Sequence, residues 1–585
     1  MNRPRPAGLA SLHLPPWRTL PATTAPALRD LPVVFAGFAL VYALLAVART
    51  WLAPVDSHVV ISLSPRALPA YALFSVARIA AAYLLSLVVA LAYGSLAAHN
   101  RTAERVLIPL LDTLQSIPVL SFLPVVLVAM VALFPTRQLG LELGSVLLIF
   151  TGQVWNMAFS VYSTTKMIPR DLLEAAQTFR LSWWQRFIQL ELPYAAIGLI
   201  WNSMMSVAGG WFFLMACEMF VLGNRDLRLP GLGSYLQTAA NAGDVPAIIW
   251  GVAVMVGVIV LIDQLIWRPV IAWSEKFKFE QTEASDAARS PVLAMLRRSA
   301  LVSRFLQRTV APIGETLTLR FAAASSVEPP GAPRGDAIKW AMRIVAVAGG
   351  AGIAYAMLSI GRTLSILSRA QVGALLRGAG ATFFRVELTL LLAALWTIPV
   401  GVYIGLRPRL AAIAQPIAQV AASVPATALF PIVVLFLIRA GGGLGIGSVI
   451  LLLLGTQWYI LFNVIAGASA IPTDLREVCQ VYGLGTVERW RRLLLPGIFP
   501  FMITGFVTAS GGAWNASIVA EYFRFQGQTL STGGLGAIIS RATDQGDYAV
   551  LVGATVLMSA IVVTVNRLVW RRLFTLAATR FTLES

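Results

Sequence analysis

Residues 168–193 read IPRDLLEAAQTFRLSWWQRFIQLELP, and residues 471–496 read IPTDLREVCQVYGLGTVERWRRLLLP. Both are charged, helix-prone stretches set between long apolar runs, and they share one layout at an offset of 303 positions. Ile-Pro opens each, an Asp precedes a Glu by three, and Leu-Pro closes each. Asp171 with Glu174, and Asp474 with Glu477, have the spacing of a capping box, with the Asp as N-cap and the Glu folding back onto its N–H. A helix is therefore expected just after Ile-Pro in each copy. It is too short and too charged to cross a bilayer, so it belongs on a membrane face. A single copy would read equally well as an ordinary capped surface helix; two equivalent copies favour a shared task.

The repeat extends well beyond these stretches. The same offset relates Trp155 to Trp458, Trp211 to Trp514, Glu218 to Glu521, the GLG at 231–233 to that at 534–536, and Trp267-Arg268 to Trp570-Arg571. Upstream, Pro118, Pro124 and Arg78 match Pro425, Pro431 and Arg385 at an offset of 307, so a loop near FPTRQLGLE (134–142) carries four residues absent from the second half. One module is written twice.

Of the 585 residues 57% are hydrophobic and 12% charged, and the mean hydropathy is +0.75, which marks an integral membrane protein. A bilayer span needs about 20 apolar residues. Twelve such stretches occur, at 33–53, 68–97, 106–134, 144–165, 194–221, 246–270, 338–358, 378–406, 411–438, 444–466, 497–523 and 547–570. The expected fold is an all-α integral membrane protein with about 12 transmembrane helices, as two parallel six-helix repeats related by an axis along the membrane normal. The expected divisions are an N-terminal tail (1–30), a first module (31–274), a linker (275–336), a second module (337–573) and a C-terminal tail (574–585).

The net charge of +18 comes from basic residues lying between and beside the apolar runs, so it points to membrane orientation rather than to nucleic acid. An inside N-terminus places Arg101, Arg105, Arg170, Arg180, Arg186, Lys276, Lys278, Arg407, Arg409, Arg489, Arg491 and Arg492 on the cytoplasmic side, with both termini. The linker stretch SPVLAMLRRSALVSRFLQRTVAPI has apolar residues at near-helical spacing with arginines between them, which fits either a helix lying in the membrane interface or a plain tether. Cys217 and Cys479 indicate neither a disulfide framework nor a metal site.

With the repeat in view, the two charged stretches resemble the cytoplasmic loop of the permease subunits of bacterial ABC importers: Glu-Ala-Ala, three residues, Gly, nine residues, then an apolar run ending in Leu-Pro. The first half has Glu174, Ala175, Ala176, Arg180 in the Gly position, and Pro193; the second has Glu477, Val478, Cys479, Gly483 and Pro496. The resemblance implies a bacterial inner-membrane protein with two coupling helices, each seated on one of two copies of a cytoplasmic ATPase subunit, and an external solute-binding protein. ATP and Mg would belong to those subunits, since no G-x-x-x-x-G-K-[ST] loop occurs in this chain, and no cofactor is expected here. Arg180 in the Gly position would be strained at positive φ, so either the first turn differs or Arg180 is ordinarily helical. Val478 and Cys479 in place of two alanines raise the question of whether both halves grip equally.

WFFLMACEMF (211–220) and WNASIVAEYF (514–523), each followed by GLG and by Asp244 or Asp547, resemble the nitrate, sulfonate, taurine and bicarbonate branch of these permeases, as does Asp263 with Leu265. That branch implies a small anionic solute. Glu218 and Glu521, late in the fifth spans, either line the path or brace the fold, with Arg78 and Arg385 as partners or as anion attractors. Trp211 and Trp514 precede the glutamates by seven and share their face, as packing or as path lining. The competing function is a secondary transporter driven by an ion gradient, for which the two glutamates would be the buried acidic sites; a non-transporting scaffold is a third.

Overall fold

Proline decides where the apolar runs stop being straight helices. The computed structural model describes residues 27–54, 59–135, 138–222, 225–277, 290–310, 334–439, 443–525 and 528–580, with 312–314, 316 and 320. Most of the expected N-terminal tail, Lys278, much of the linker and residues 581–585 lie outside the described residues.

In the first half, helices α1 (Ala27–Trp51), α2 (Leu68–His99), α3 (Arg101–Ser116), α4 (Leu123–Leu133) and α5 (Leu139–Lys166) precede two short helices, α6 (Arg170–Thr178) and α7 (Trp183–Arg186). Then follow α8 (Leu192–Glu218), a hairpin of β1 (Val221–Leu222) and β2 (Arg225–Asp226), α9 (Leu232–Ala242), α10 (Val245–Ile262) and α11 (Arg268–Ser274). Among the described residues of the expected linker lie α12 (Pro291–Arg298) and α13 (Ala300–Phe305), both against α1. There Ser299 donates to Asp30 at 2.6 Å.

The second half runs α14 (Arg334–Ser365), α15 (Arg369–Gly405), α16 (Pro408–Ser423), α17 (Ala426–Arg439), α18 (Leu444–Ser469), α19 (Thr473–Val481), α20 (Thr486–Arg489) and α21 (Leu495–Ala520). It ends with the hairpin of β3 (Tyr522–Phe525) and β4 (Gln528–Ser531), α22 (Leu535–Gln545), α23 (Tyr548–Val565) and α24 (Arg571–Arg580).

Among the described residues nine helices are long and apolar enough to cross a membrane, or up to eleven if each of two bent pairs counts as one span. The seventh expected stretch, 338–358, lies within α14. The third span of each half differs from expectation. Instead of one straight helix, residues 101–133 bend by 83° and residues 409–437 by 81°. The breaks fall at Ile117-Pro118 and Val424-Pro425, where Ile117 (ψ 127°) and Val424 (ψ 115°) are extended. A residue before proline is pushed out of the α region, and the helix ends there.

These breaks place the site. Within each half, three long helices form the tightest bundle: α2, α5 and α8 in the first, α15, α18 and α21 in the second. The broken third spans instead cross over. The pair α16–α17 packs on α8, α9 and α10 of the first half, while the turn Val119–Phe122 packs on α21 and α3 packs on α23. Both main core clusters accordingly mix the halves: Phe430, Val434 and Phe523 join the first half's Trp211 and Tyr235, and Val119, Leu120 and Leu127 join the second half's Trp514 and Ile518.

Candidate functional site

Three sets of residues stand out: the turns after α6 and α19, a buried ion network in each half, and the cavities between the halves.

The short helices begin two residues earlier than the capping-box reading expects. Pro169 and Pro472 are the N-caps, extended at ψ 142°, and neither Asp171 nor Asp474 caps. The proline carbonyl already accepts the first helical bonds, from Leu172 and Leu173. That leaves each Asp at the second helical position, where its charge favours the helix N-terminus. Glu174, Ala175, Glu477 and Val478 are exposed, while Ala176 and Cys479 are buried against the following turn.

Both helices end alike. Arg180 N–H donates to Gln177 O at 2.9 Å and Leu181 N–H to Ala176 O at 3.0 Å; Gly483 and Leu484 repeat this onto Gln480 and Cys479 at 3.0 and 3.1 Å. This is the Schellman pattern, with the residue past the cap left-handed. Gly483 has φ 61° and Arg180 has φ 49°, the one positive-φ non-glycine among the described residues. Neither alternative for Arg180 holds: the turn is the same in both halves, and an arginine occupies the glycine's conformation. The turns carry exposed apolar side chains, Phe179 (77% exposed) and Trp183 in the first half, Val481, Tyr482 (78%) and Val487 in the second.

The ion networks sit at the far end of α8 and α21. Arg78, fully buried on α2, meets Glu218 through Nη1 at 2.7 Å and grips Glu142 of α5 with Nε at 2.6 Å and Nη2 at 2.8 Å. Ser75 donates to Glu218 at 2.7 Å, and the N–H of Gly233 donates to it at 2.7 Å. The second half repeats the scheme: Arg385 pairs with Glu521, Thr382 donates to it at 2.8 Å, and Gly536 N–H at 2.8 Å. Each glutamate thereby caps the start of α9 or α22, and the GLG motif is the space it needs. A Cβ on Gly231 or Gly534 would come within 2.3 Å and 2.1 Å of the carboxylate. Trp211 and Trp514 are buried in the two cores.

Glu142 is the member that sequence reading missed. Its signal was a carboxylate inside an apolar run, hidden because its counterpart is Gly445. His99 was missed too: its Nε2 lies 2.8 Å from buried Glu191, which also accepts from Arg186 at 2.6 Å, tying the end of α2 to the residues just after α7.

Two cavities lie between the halves. A central one of about 120 Å³ is bounded by Met204, Phe212 and Phe213 of α8, Gln419 and Ser423 of α16, Pro425 and Ala426 at the break, Tyr459 of α18 and Asn515 of α21. Towards the far ends of α8 and α21 an outer one of about 450 Å³ is bounded by Leu120, Phe220, Asp226, Arg228, Arg524 and Asp544. Its charges are paired: Arg228 with Asp226 at 2.6 Å, and Arg524 with Asp544 at 2.6 Å. Tyr522 also donates to Asp544. Burial, and then that carboxylate, hold its phenol above the usual range.

Comparison with known proteins accords with this architecture. The family described as the binding-protein-dependent transport system inner membrane component matches twice, over residues 90–266 and 397–580, which together span more than half of the chain. The chain belongs to this family. Among its relatives are a nitrate import permease protein NrtB of Leptolyngbya laminosa, 28% identical over 32% of this chain and 64% of the relative, and NrtB of Synechococcus elongatus, 30% identical over 28% and 54%. The taurine transport system permease protein TauC of Escherichia coli is 29% identical over 28% and 55%. The chain thus spans between about half and two thirds of the length of these relatives.

As an ABC-family permease of fused halves, the protein pairs two domains that have diverged. The Gly of one turn is Arg180 in the other, Glu142 answers to Gly445, and Glu191 answers to Leu494. Asn515, whose Oδ1 accepts the N–H of Leu120 at 3.4 Å, answers to Phe212. The two halves of the permease are therefore similar scaffolds that differ at individual side chains.

Proposed function

We propose that this permease supplies both transmembrane halves of an ABC-type importer and forms the path for a small anionic solute of the nitrate, sulfonate or taurine kind. Two copies of a cytoplasmic ATPase subunit, which carry the ATP and Mg, seat on α6 and α19. An extracytoplasmic solute-binding protein docks over the outer cavity. Both termini face the cytoplasm, with modules at 31–274 and 337–573 joined by the 275–336 linker. The names of the nitrate and taurine relatives support the solute class.

One observation carries the reading. The turns after α6 and α19 repeat bond for bond at an offset of 303, even though one of them needs a strained arginine, and both leave large apolar side chains in the open. Exposed apolar groups on rigid, repeated levers call for a partner. Asp171, Glu174, Ala175, Ala176 and Arg180, with Asp474, Glu477, Val478, Cys479 and Gly483, form these two coupling surfaces. Closure of the ATPase pair moves them together, and α7–α8 and α20–α21 transmit the motion to the walls of both cavities.

Arg78, Glu218, Arg385 and Glu521 brace the outer ends of the halves, and Trp211 and Trp514 fill the cores. Both glutamates are engaged by arginines and bound neither cavity, so they do not serve as ion-coupling sites.

The test is purification of the tagged chain from detergent-solubilised membranes of its own cell, with mass spectrometry of what stays bound. An ATPase subunit at about two copies per chain is expected, and it should be lost when Glu174→Arg and Glu477→Arg are combined while membrane insertion persists. No ATPase, together with solute movement by the chain alone under an ion gradient, would overturn the proposal in favour of secondary transport.

A further inference from the structure

The linker helices are held in place as a tether would not need to be. Helices α12 and α13 pack against α1, and α12 also packs against α11. Ser299 joins them to α1 through a buried contact: its hydroxyl donates to Asp30 at 2.6 Å while accepting the N–H of Val302, which caps α13. Ser290 caps α12 in the same way by accepting the N–H of Leu293. Each helix has one inward side. Val292, Leu293 and Leu296 of α12, and Ser299, Val302 and Ser303 of α13, are its buried or half-buried positions.

Their support is a helix that belongs in lipid. α1 is long and apolar enough to cross a membrane, yet no residue of Pro32–Trp51 is buried, and Phe35, Phe38, Tyr42 and Leu45 stand open. Asp30 lies in the first turn of α1, just ahead of this span. The two linker helices therefore sit where the span meets the headgroup layer.

The outward side carries apolar and basic groups together. Met295, Leu301, Phe305 and Leu306 are exposed, and Arg297, Arg298, Arg304 and Arg308 are exposed beside them. Leu301 with Phe305, and Arg304 with Arg308, are each four apart, so an apolar and a basic stripe run side by side. Lys276 adds a fifth cation from just past α11, its Nζ 4.2 Å above the ring of Trp273 and 4.7 Å above that of Phe277. Burial, and then the like charge of Arg297, hold this ammonium below its usual range. Among the described residues none of these five cations is paired with a carboxylate. Their counter-charge has to come from outside the chain.

We infer that α12 and α13, with Lys276, form a binding surface for anionic phospholipid headgroups. The lipid phosphates take the arginines and Lys276, while Leu301, Phe305 and Leu306 enter the layer between headgroups and acyl chains. Arginine suits this task because its planar guanidinium meets two phosphate oxygens at once. A soluble anion would neutralise the charges but leave the apolar side chains in water, whereas a charged lipid layer covers both. Each basic residue near an anionic leaflet strengthens binding by about fivefold, so the cluster distinguishes an anionic bilayer from a neutral one. The inference rests on α1 as a membrane span and is independent of the solute and of the ATPase.

The test is hydrogen exchange over 291–310 in the whole chain, in nanodiscs of phosphatidylcholine alone and of an equal mixture with phosphatidylglycerol. The mixed bilayer should slow exchange there by about tenfold, and raised salt should shrink the difference. Arg297→Gln, Arg298→Gln, Arg304→Gln and Arg308→Gln combined should abolish it, whereas lysine at the same four positions should largely keep it. Equal exchange of the wild type in both bilayers, slow or fast, would overturn the inference: slow would leave the apolar side chains alone holding the helices, and fast would make the linker a tether. Slowing by phosphatidylglycerol that persists in the glutamine variant would place the lipid contact elsewhere and would also overturn it. Slowing that needs a co-purified protein rather than phosphatidylglycerol would assign this face to that protein instead.

Discussion

Arg180 holds φ 49° at the end of α6 where Gly483 holds φ 61° at the end of α19. A side chain in this region costs about 1–2 kcal/mol that glycine does not incur, yet the Schellman bonds are as short in the arginine turn. Relief of that strain should be measurable: Arg180→Gly is expected to slow amide exchange over 170–182, and Gly483→Ala to quicken it over 473–485, each by about 1 kcal/mol of local stability. Equal exchange in wild type and both variants would show that the turns are set by their surroundings instead. At the buried networks the expectation concerns charge balance. Removing Glu521 leaves Arg385 without its carboxylate partner, whereas removing Glu218 leaves Arg78 still held by Glu142. Loss of a partner from a buried pair costs about 3–5 kcal/mol, so Glu521→Gln should lower the melting temperature in detergent by more than Glu218→Gln does.

Among the elements, α7 is closed by a full capping box: Gln185 N–H donates to Ser182 Oγ at 3.3 Å, and Ser182 N–H to Gln185 Oε1 at 2.9 Å. The equivalent α20 begins at Gly485 without a side-chain cap. Ser182→Ala should therefore loosen α7 by about 1 kcal/mol, seen as faster exchange over 183–191, while Gly485→Ala should leave α20 nearly unchanged. Each short helix leads through a π turn into the long span, Phe187–Glu191 before α8 and Trp490–Leu494 before α21. A second pair of π turns, Asp263–Trp267 and Asn566–Trp570, follows α10 and α23. Turns of this type are rare and cluster at functional sites, and these two pairs repeat at an offset of 303, whereas a fifth, Leu306–Val310, stands alone among the described residues.

The whole molecule is held together by the crossing of its third spans. Because each core cluster draws side chains from both halves, the halves should associate without the linker. Co-expressed as separate chains divided near residue 325, they are expected to co-purify, and either one alone should be degraded or aggregate; independent, monodisperse halves would contradict the interlocked core. Much of the design is legible in the sequence. Apolar runs of bilayer length mark the spans, because burying backbone in lipid leaves helix as the form that satisfies every N–H and C=O, and the 303 offset marks the repeat. The glycine-arginine substitution, the GLG motifs and the paired glutamates are visible as patterns too. What those patterns do was settled in three dimensions. Pro118 and Pro425 stand inside apolar runs that read as single spans, and only the structure shows that these spans break there and reach into the opposite half. The capping box is a matter of local spacing, and Pro169 and Pro472 hold the N-cap positions instead. Glu142 joins Arg78 across 64 positions and Asn515 meets Leu120 across 395, distances over which no periodicity carries information. The sequence by itself determined the class, the repeat and the apolar runs that supply the spans, since these follow from local hydrophobicity and backbone hydrogen bonding. Tertiary structure alone decided which charges pair, which helix starts are capped and where a cavity opens, since these depend on which distant side chains meet.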